Sequence, residues 1–242
     1  EGSKKNTLLY LLDQTATAMG GRMLRAWIEQ PLQNIADINA RLDAVEAFHK
    51  KPVEREALGK ALSSVYDIER LCSRIAYGSV NARDCQALAQ SLGRIPQILT
   101  LLNPFKGAEL SRIHQGLDPM EDILSLLNSA IAENPPVSVK EGGFIREGYN
   151  AELDGYRTAS RDGKDCKQTL VNCERYITPE LKELESTILG AEEKGISLEY
   201  QLFIEIRRVL AACIARLQEN ARLLAALDVY YSLAQAAFLH NY

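Results

Sequence analysis

Between residues 198 and 231 the apolar side chains Leu198, Leu202, Ile206, Val209, Cys213, Leu217, Leu224, Leu227 and Tyr231 recur at steps of three, four and seven. A period close to 3.6 residues marks a helix with one apolar face. The stretch therefore predicts one stripe about nine turns long, which must be covered by other helices running along it. Upstream, Thr178-Pro179-Glu180 reads as the helix start: a hydroxyl cap, a proline where no amide hydrogen is needed, and an acid at the positive end of the dipole. A helix of roughly 45 residues from Pro179 would span about 60 Å at 1.5 Å per residue. Gly195 is the expected kink.

The same period recurs toward the N-terminus. Leu8, Leu11 and Leu12 begin a stripe, and Met23, Leu24, Trp27 and Ile28 share one face before Pro31. Asn34 and Asp37 read as a cap and a first-turn acid for a helix carrying Ile35, Ile38, Leu42, Val45 and Phe48 as its core face. Further helices are expected after Pro52 (Leu58, Leu62, Val65), at Ile68, Leu71 and Ile75, from Asn81 with Asp84, and from Pro119 to Asn134. Ile95-Pro96 marks a kink or restart. The period changes at Val137 and Val139, which alternate with polar residues before Gly142-Gly143 and Phe144-Ile145, an extended or hairpin passage. Asn150 then caps a polar helix, Ala151 to about Asp165. The expected fold is predominantly all-α: a multi-helix core bundle with long lever helices and a minor extended segment near 137–146.

Composition supports a folded chain, with 46% hydrophobic and 25% charged residues. The net charge of −4 rules out holding nucleic acid by overall charge, so any such contact must be local. Residues 107–166 are the acidic part, with 6 basic and 11 acidic side chains, which suits a solvated helical arm better than a phosphate-binding groove. Cys72, Cys85, Cys166, Cys173 and Cys213 form no CxxC pair and are read as reduced, packed thiols. Their odd number and the absence of a signal peptide point to the cytosol, and EGSKKN looks like an internal cut point rather than a targeting segment. No apolar run reaches the roughly 20 residues needed to span a membrane.

Motifs that would carry chemistry do not occur. There is no GxxxxGK[ST], no HExxH and no GxSxG, and His49, His114 and His240 have no cysteine or acid cluster beside them. No cofactor, metal or catalytic residue is expected. Glu183, Glu185, Glu192 and Glu193 read as a solvated helix face. Arg161, Lys164, Lys167 and Arg175 gather in one stretch where they could meet phosphates, although a solvated arm tip accounts for them equally well.

Four passages together resemble the core of the MutS mismatch-repair family: NTLLYLLDQTATAMGGRMLRAWIEQPL at 6–32, DIERLCSRIA at 67–76, NPPVSVKEGGFIREGYNAELD at 134–154 and KQTLVNCERYITPELKELE at 167–185. Their order and spacing agree over almost the whole chain. The resemblance implies the core and lever domain, called domain III, of a protein that also carries a mismatch-reading domain, a connector, a clamp inserted between two lever arms, and a dimerising ATPase. On that footing 1–133 is the helical core, 134–166 the extended segment and outgoing lever, and 167–242 the return segment and the lever leading back.

The departure from the family lies at Asp165, Cys166 and Lys167, where the clamp should intervene and does not. Either the clamp has been removed, or a stretch is left out and its ends joined. The resemblance further implies that ATP and Mg belong to the absent ATPase domain. It makes mismatched double-stranded DNA, other MutS domains, a second copy of the parent and a MutL-type protein the partners, in the cytoplasm. The fragment itself is expected to be no enzyme. An alternative is a freestanding helical adaptor that binds a partner protein along the 198–238 stripe.

Overall fold

The computed structural model describes residues 7–136, 142–171 and 179–241, with side chains described outside 162–189. Among these residues there are twelve helices: α1 (Leu8–Leu12), α2 (Ala18–Glu29), α3 (Ile35–His49), α4 (Pro52–Leu62), α5 (Ile68–Ala76), α6 (Ala82–Leu92), α7 (Ile95–Leu102), α8 (Ala108–Gly116), α9 (Glu121–Ala130), α10 (Ala151–Val171), α11 (Pro179–Ala212) and α12 (Ile214–His240). The chain is predominantly all-α. Its only described β pairing is an isolated antiparallel bridge between Ile131 and Ile145.

Local chemistry sets the helix starts. Asn81 and Asp84 form a reciprocal capping box ahead of α6, each side chain accepting from the other's backbone amide at 2.9 and 3.1 Å. Asn34 accepts from Ala36, Asp67 from Arg70 and Asn150 from Leu153, opening α3, α5 and α10. Pro52 and Pro96 occupy first-turn positions of α4 and α7, so Ile95-Pro96 is a restart. Gly107, at φ +137°, turns the chain into α8 in a conformation that favours glycine.

The chain divides into two compact units. The first comprises 1–79, 87–124 and 212–242, and α12 lies at its centre with α1, α2, α3, α4, α5 and α8 packed against it. Residues Leu223 to Tyr230 of α12 are buried without interruption. A helix covered on every side is a central helix rather than a stripe, and this part of the expected 198–238 adaptor surface is enclosed by the unit's own core. Trp27 stacks edge-on against Tyr230, with ring centroids 5.4 Å apart. Arg22 of α2 forks onto Asp67 at 2.7 and 2.9 Å and reaches Glu69 at 2.6 Å, tying α2 to α5.

Three expectations about helix faces and ends are corrected. The apolar row of α3 faces the core only in part: Ile35 and Leu42 are exposed and Ile38 and Val45 half-buried, while Phe48 is buried, as is Ala44 from outside the row. In α3 Phe48 packs on Phe105 at 4.4 Å, which turns the Ile35–Leu42 edge outward. The single long helix from Pro179 breaks at Cys213 into α11 and α12, although no proline or glycine lies there. The break coincides with a tertiary tie, Arg216 in the first turn of α12 bonding Asp118 and Asp122 at 2.8 Å. Third, the helix expected to end near Asp165 continues to Val171, since nothing from Lys164 onward breaks it, and Cys166 and Lys167 are consecutive residues of α10.

The second unit comprises 80–86 and 125–211. Arg207 of α11 donates to the Val80 carbonyl at 2.9 Å, and Arg83 donates to that of Pro135 at 3.0 Å. The core face of α11 is displaced from the expected one. Glu199, Phe203, Ile206 and Leu210 are buried, Leu202 is half-buried and Val209 is exposed. Gly195 does not interrupt α11; a side chain there would meet the Tyr156 Cβ at 3.5 Å. Of the extended passage, Phe144 and Ile145 are seen, with Ala132 donating to the Phe144 carbonyl and Arg146 to that of Ala130. Val137 and Val139 lie outside the described residues, as do Thr178 and Arg175.

Candidate functional site

Where α10 leaves and α11 returns, one buried carboxyl group gathers three separate pieces of the second unit. Glu199, 2% exposed, projects from the core face of α11. Its Oε2 accepts from the Gly143 amide at 2.9 Å and its Oε1 from the Ile145 amide at 2.7 Å. Arg157 of α10 donates to Oε1 at 2.9 Å and to the Ile145 carbonyl at 2.8 Å. The turn Gly142-Gly143 can present its amide inward because both residues have positive φ, +65° and +81°. Beside this knot Phe144 meets Phe203 edge-on at 5.4 Å. An ion pair this enclosed needs every donor satisfied to offset its desolvation, and here the bonds join α11 to α10 and to the 142–145 turn. The result is a fixed base for the two arm helices.

The residues expected to face DNA are distributed along α10 and beyond it. Arg161 is exposed, with its guanidinium 3.7 Å from Glu147. Lys164, Asp165, Cys166 and Lys167 belong to α10, their side chains outside the described set, and Arg175 lies outside the described residues altogether.

The first unit has a second buried acid. Asp228, fully buried in α12, accepts from the Ala16 amide at 2.9 Å, the Thr17 amide at 2.8 Å and the Thr17 hydroxyl at 2.7 Å. Burial pushes its carboxyl above the ordinary value, against three hydrogen bonds that favour the charged form. One turn on, the Ser232 hydroxyl accepts from the Gln14 amide and donates to the Leu12 carbonyl, both at 2.7 Å. Together they seat the loop between α1 and α2 on the central helix.

Among the described residues no group of three or more His, Cys, Asp or Glu side chains could hold a metal. Burial raises the thiols of Cys72 to about 11 and Cys85 to about 12, and that of Cys213 in the same direction, the reverse of nucleophile activation. Among the described residues no helix is long and apolar enough to cross a membrane.

Glu199, Arg157 and Asp228 were not singled out from the sequence. Their one available signal is an acid in core register within an apolar run, as in the passage AALDVYYS around Asp228. Periodicity assigns such an acid to the solvent face.

The family model for MutS domain III matches residues 1–234. The DNA mismatch repair protein MutS of Ruminiclostridium cellulolyticum is 45% identical over 287 residues, which cover 100% of this chain and 33% of that protein. The corresponding proteins of Alkaliphilus oremlandii and Staphylococcus epidermidis are 43% and 40% identical over 99% of this chain. The chain thus spans about a third of the length of the curated relatives it matches. Because the match to the first runs over 287 residues against 242 here, at least 45 positions of that relative have no counterpart in this chain. With a family match along nearly its whole length, a helical core around α12 and two arm helices locked at Glu199, the chain belongs to the MutS domain III family.

Proposed function

We propose that this chain is the core and lever part of a DNA mismatch-repair protein, coupling an ATPase at one end to a DNA clamp at the arm tips. The family match over residues 1–234 carries the reading. In it, 1–133 forms the core, 134–166 the outgoing lever and 167–242 the return lever. The clamp belongs between Cys166 and Lys167, and the 45 or more positions without counterpart leave room for an insertion along the match. The Glu199 knot favours this location, since it fixes α10 and α11 at the end opposite the proposed insertion.

On this reading the fragment catalyses nothing itself, and ATP with Mg binds the ATPase domain of the parent protein. Mismatched duplex, the other domains of the parent, a second parent copy and a MutL-type protein are the partners, in the cytoplasm. Arg161, Lys164, Lys167 and Arg175 are the candidate DNA-proximal basic side chains of this chain, which would act on phosphates rather than bases. No observation favours the freestanding adaptor.

Fluorescence anisotropy with matched and G·T-mismatched duplexes tests this directly. The expected result is weak, strongly salt-dependent binding or none, equal for both duplexes, with no ATP hydrolysis. Nanomolar preference for the mismatch by this chain alone would overturn the assignment of sensing to other domains.

A further inference from the structure

Three arginines of the first unit converge on a cavity of about 320 Å³ that also exposes the indole of Trp27. Its charged and polar groups are Arg41 and Asp37 from α3, Glu109 and Arg112 from α8, and Arg222 with the Tyr230 hydroxyl from α12. Two of the guanidinium groups are already engaged. Arg112 bonds Glu109 at 2.7 Å and Arg222 bonds Glu219 at 2.5 Å, while the Tyr230 hydroxyl donates to Glu109 at 3.1 Å. Arg41 differs from both. Its guanidinium lies 3.4 Å from the centroid of the Trp27 ring, and among the described residues it has neither a hydrogen bond nor an ion pair, even to Asp37 one turn away. Stacking fixes the plane of the guanidinium but leaves its N–H edge without an acceptor, the geometry suited to forking onto an oxyanion. The remaining wall, from Met23, Leu32 and Ala226, is apolar.

We propose that this cavity binds a small organic anion, a phosphate or carboxylate group on a compact apolar body, with Arg41 as the principal contact. The volume falls at the small end of ligand pockets, enough for a substituted ring. Arg112 and Arg222 are balanced by Glu109 and Glu219, and Glu109 is further held by Tyr230, which leaves the open edge of Arg41 as the place where an anion enters. The site lies within the first unit and shares no residue with the Glu199 knot or with the basic residues of α10.

The chain contains one tryptophan, so emission comes from Trp27, which lines this cavity and a neighbouring one bounded by Arg22, Cys72 and Gln218; the Arg41 variant separates the two. The 242-residue chain is titrated with phenyl phosphate, sodium benzoate and inorganic phosphate, with sodium chloride holding ionic strength constant. A saturable emission change with phenyl phosphate or benzoate is expected; the tighter of the two identifies phosphate or carboxylate as the preferred group. Arg41→Gln should weaken binding about tenfold or more, the worth of a charged hydrogen bond, whereas Arg94→Gln, away from the cavity, should not change it. A response that does not saturate, or one unaltered by Arg41→Gln, overturns the proposal. If Arg41→Gln does not fold, the wild-type Trp27 indole NMR resonance decides: a shift under phenyl phosphate or benzoate that chloride does not reproduce supports the site, and no shift overturns it.

Discussion

Replacing Gly20 with alanine would ordinarily strengthen a helix, by up to about 1 kcal/mol in an interior position. In α2 the structure predicts the opposite sign. A Cβ on Gly20 would fall 2.1 Å from Oδ2, 2.6 Å from Cγ and 2.8 Å from Cβ of Asp228. Because the overlap reaches the Asp228 Cβ, rotating the carboxyl group does not relieve it, and that group is held by Ala16 and by both donors of Thr17. Overpacking costs about 1 to 3 kcal/mol. Displacing the acid forfeits three hydrogen bonds worth about 1 kcal/mol each. Against the propensity gain, Gly20→Ala should therefore destabilise by roughly 3 to 5 kcal/mol, a fall in Tm of about 6 to 20 °C for a chain of this size. Circular dichroism melts and urea titrations measure it. In a double-mutant cycle, Asp228→Ala should cost less in the Gly20→Ala background than alone, because the clash is removed with the acid. A Gly20→Ala chain as stable as the wild type, or additive behaviour in the cycle, would refute the close approach of α2 to α12.

Other substitutions separate the two units. Glu199→Ala strands the Gly143 and Ile145 amides and the Arg157 guanidinium, costing about 3 to 5 kcal/mol, and should speed hydrogen exchange at Gly143 and Ile145; unchanged protection there would contradict the knot. Leu224→Ala, at a fully buried site, should cost about 2 to 5 kcal/mol, whereas Val209→Ala on the exposed face of α11 should stay within about 0.5 kcal/mol; equal losses would restore the unshifted stripe. The folded thiols of Cys72 and Cys85 are raised from 9.0 to about 11 and about 12, so the folded state holds these protons more tightly than the unfolded chain. Their contribution is full below pH 9 and is lost as pH rises through 11 to 12, which urea titrations between pH 8 and 11 detect as falling stability.

The start signals were legible because they are local. The Asn81–Asp84 box, the caps at Asn34 and Asn150 and the proline at the head of α4 depend on residues three or four apart, and each opens a helix where expected. Which face of a helix turns inward is decided by partners far along the chain. In α11 the buried row runs through Glu199, an acid made tolerable only by Arg157 and two amides from another segment, so a count of apolar positions selects the neighbouring row. In α3 only the Phe48 end of the apolar row turns inward, where it meets Phe105 from the loop between α7 and α8, and Ile35 and Leu42 face outward. The break at Cys213 likewise coincides with a long-range tie, Arg216 reaching Asp118 and Asp122 about a hundred residues away. The proposed arm base escaped notice for the same reason, as its centre is a charge where the pattern predicts an apolar residue.

The central claim is that these helices are levers for a DNA-gripping segment belonging between Cys166 and Lys167. The direct measurement inserts a clamp segment from a full-length relative at that junction and compares duplex binding with the unmodified chain across a salt series. The account predicts a gain in affinity with a steep salt slope, reduced when Arg161 and Lys164 are neutralised. An inserted chain that folds, keeps the Glu199 knot by hydrogen exchange, and binds DNA no better than before would contradict it.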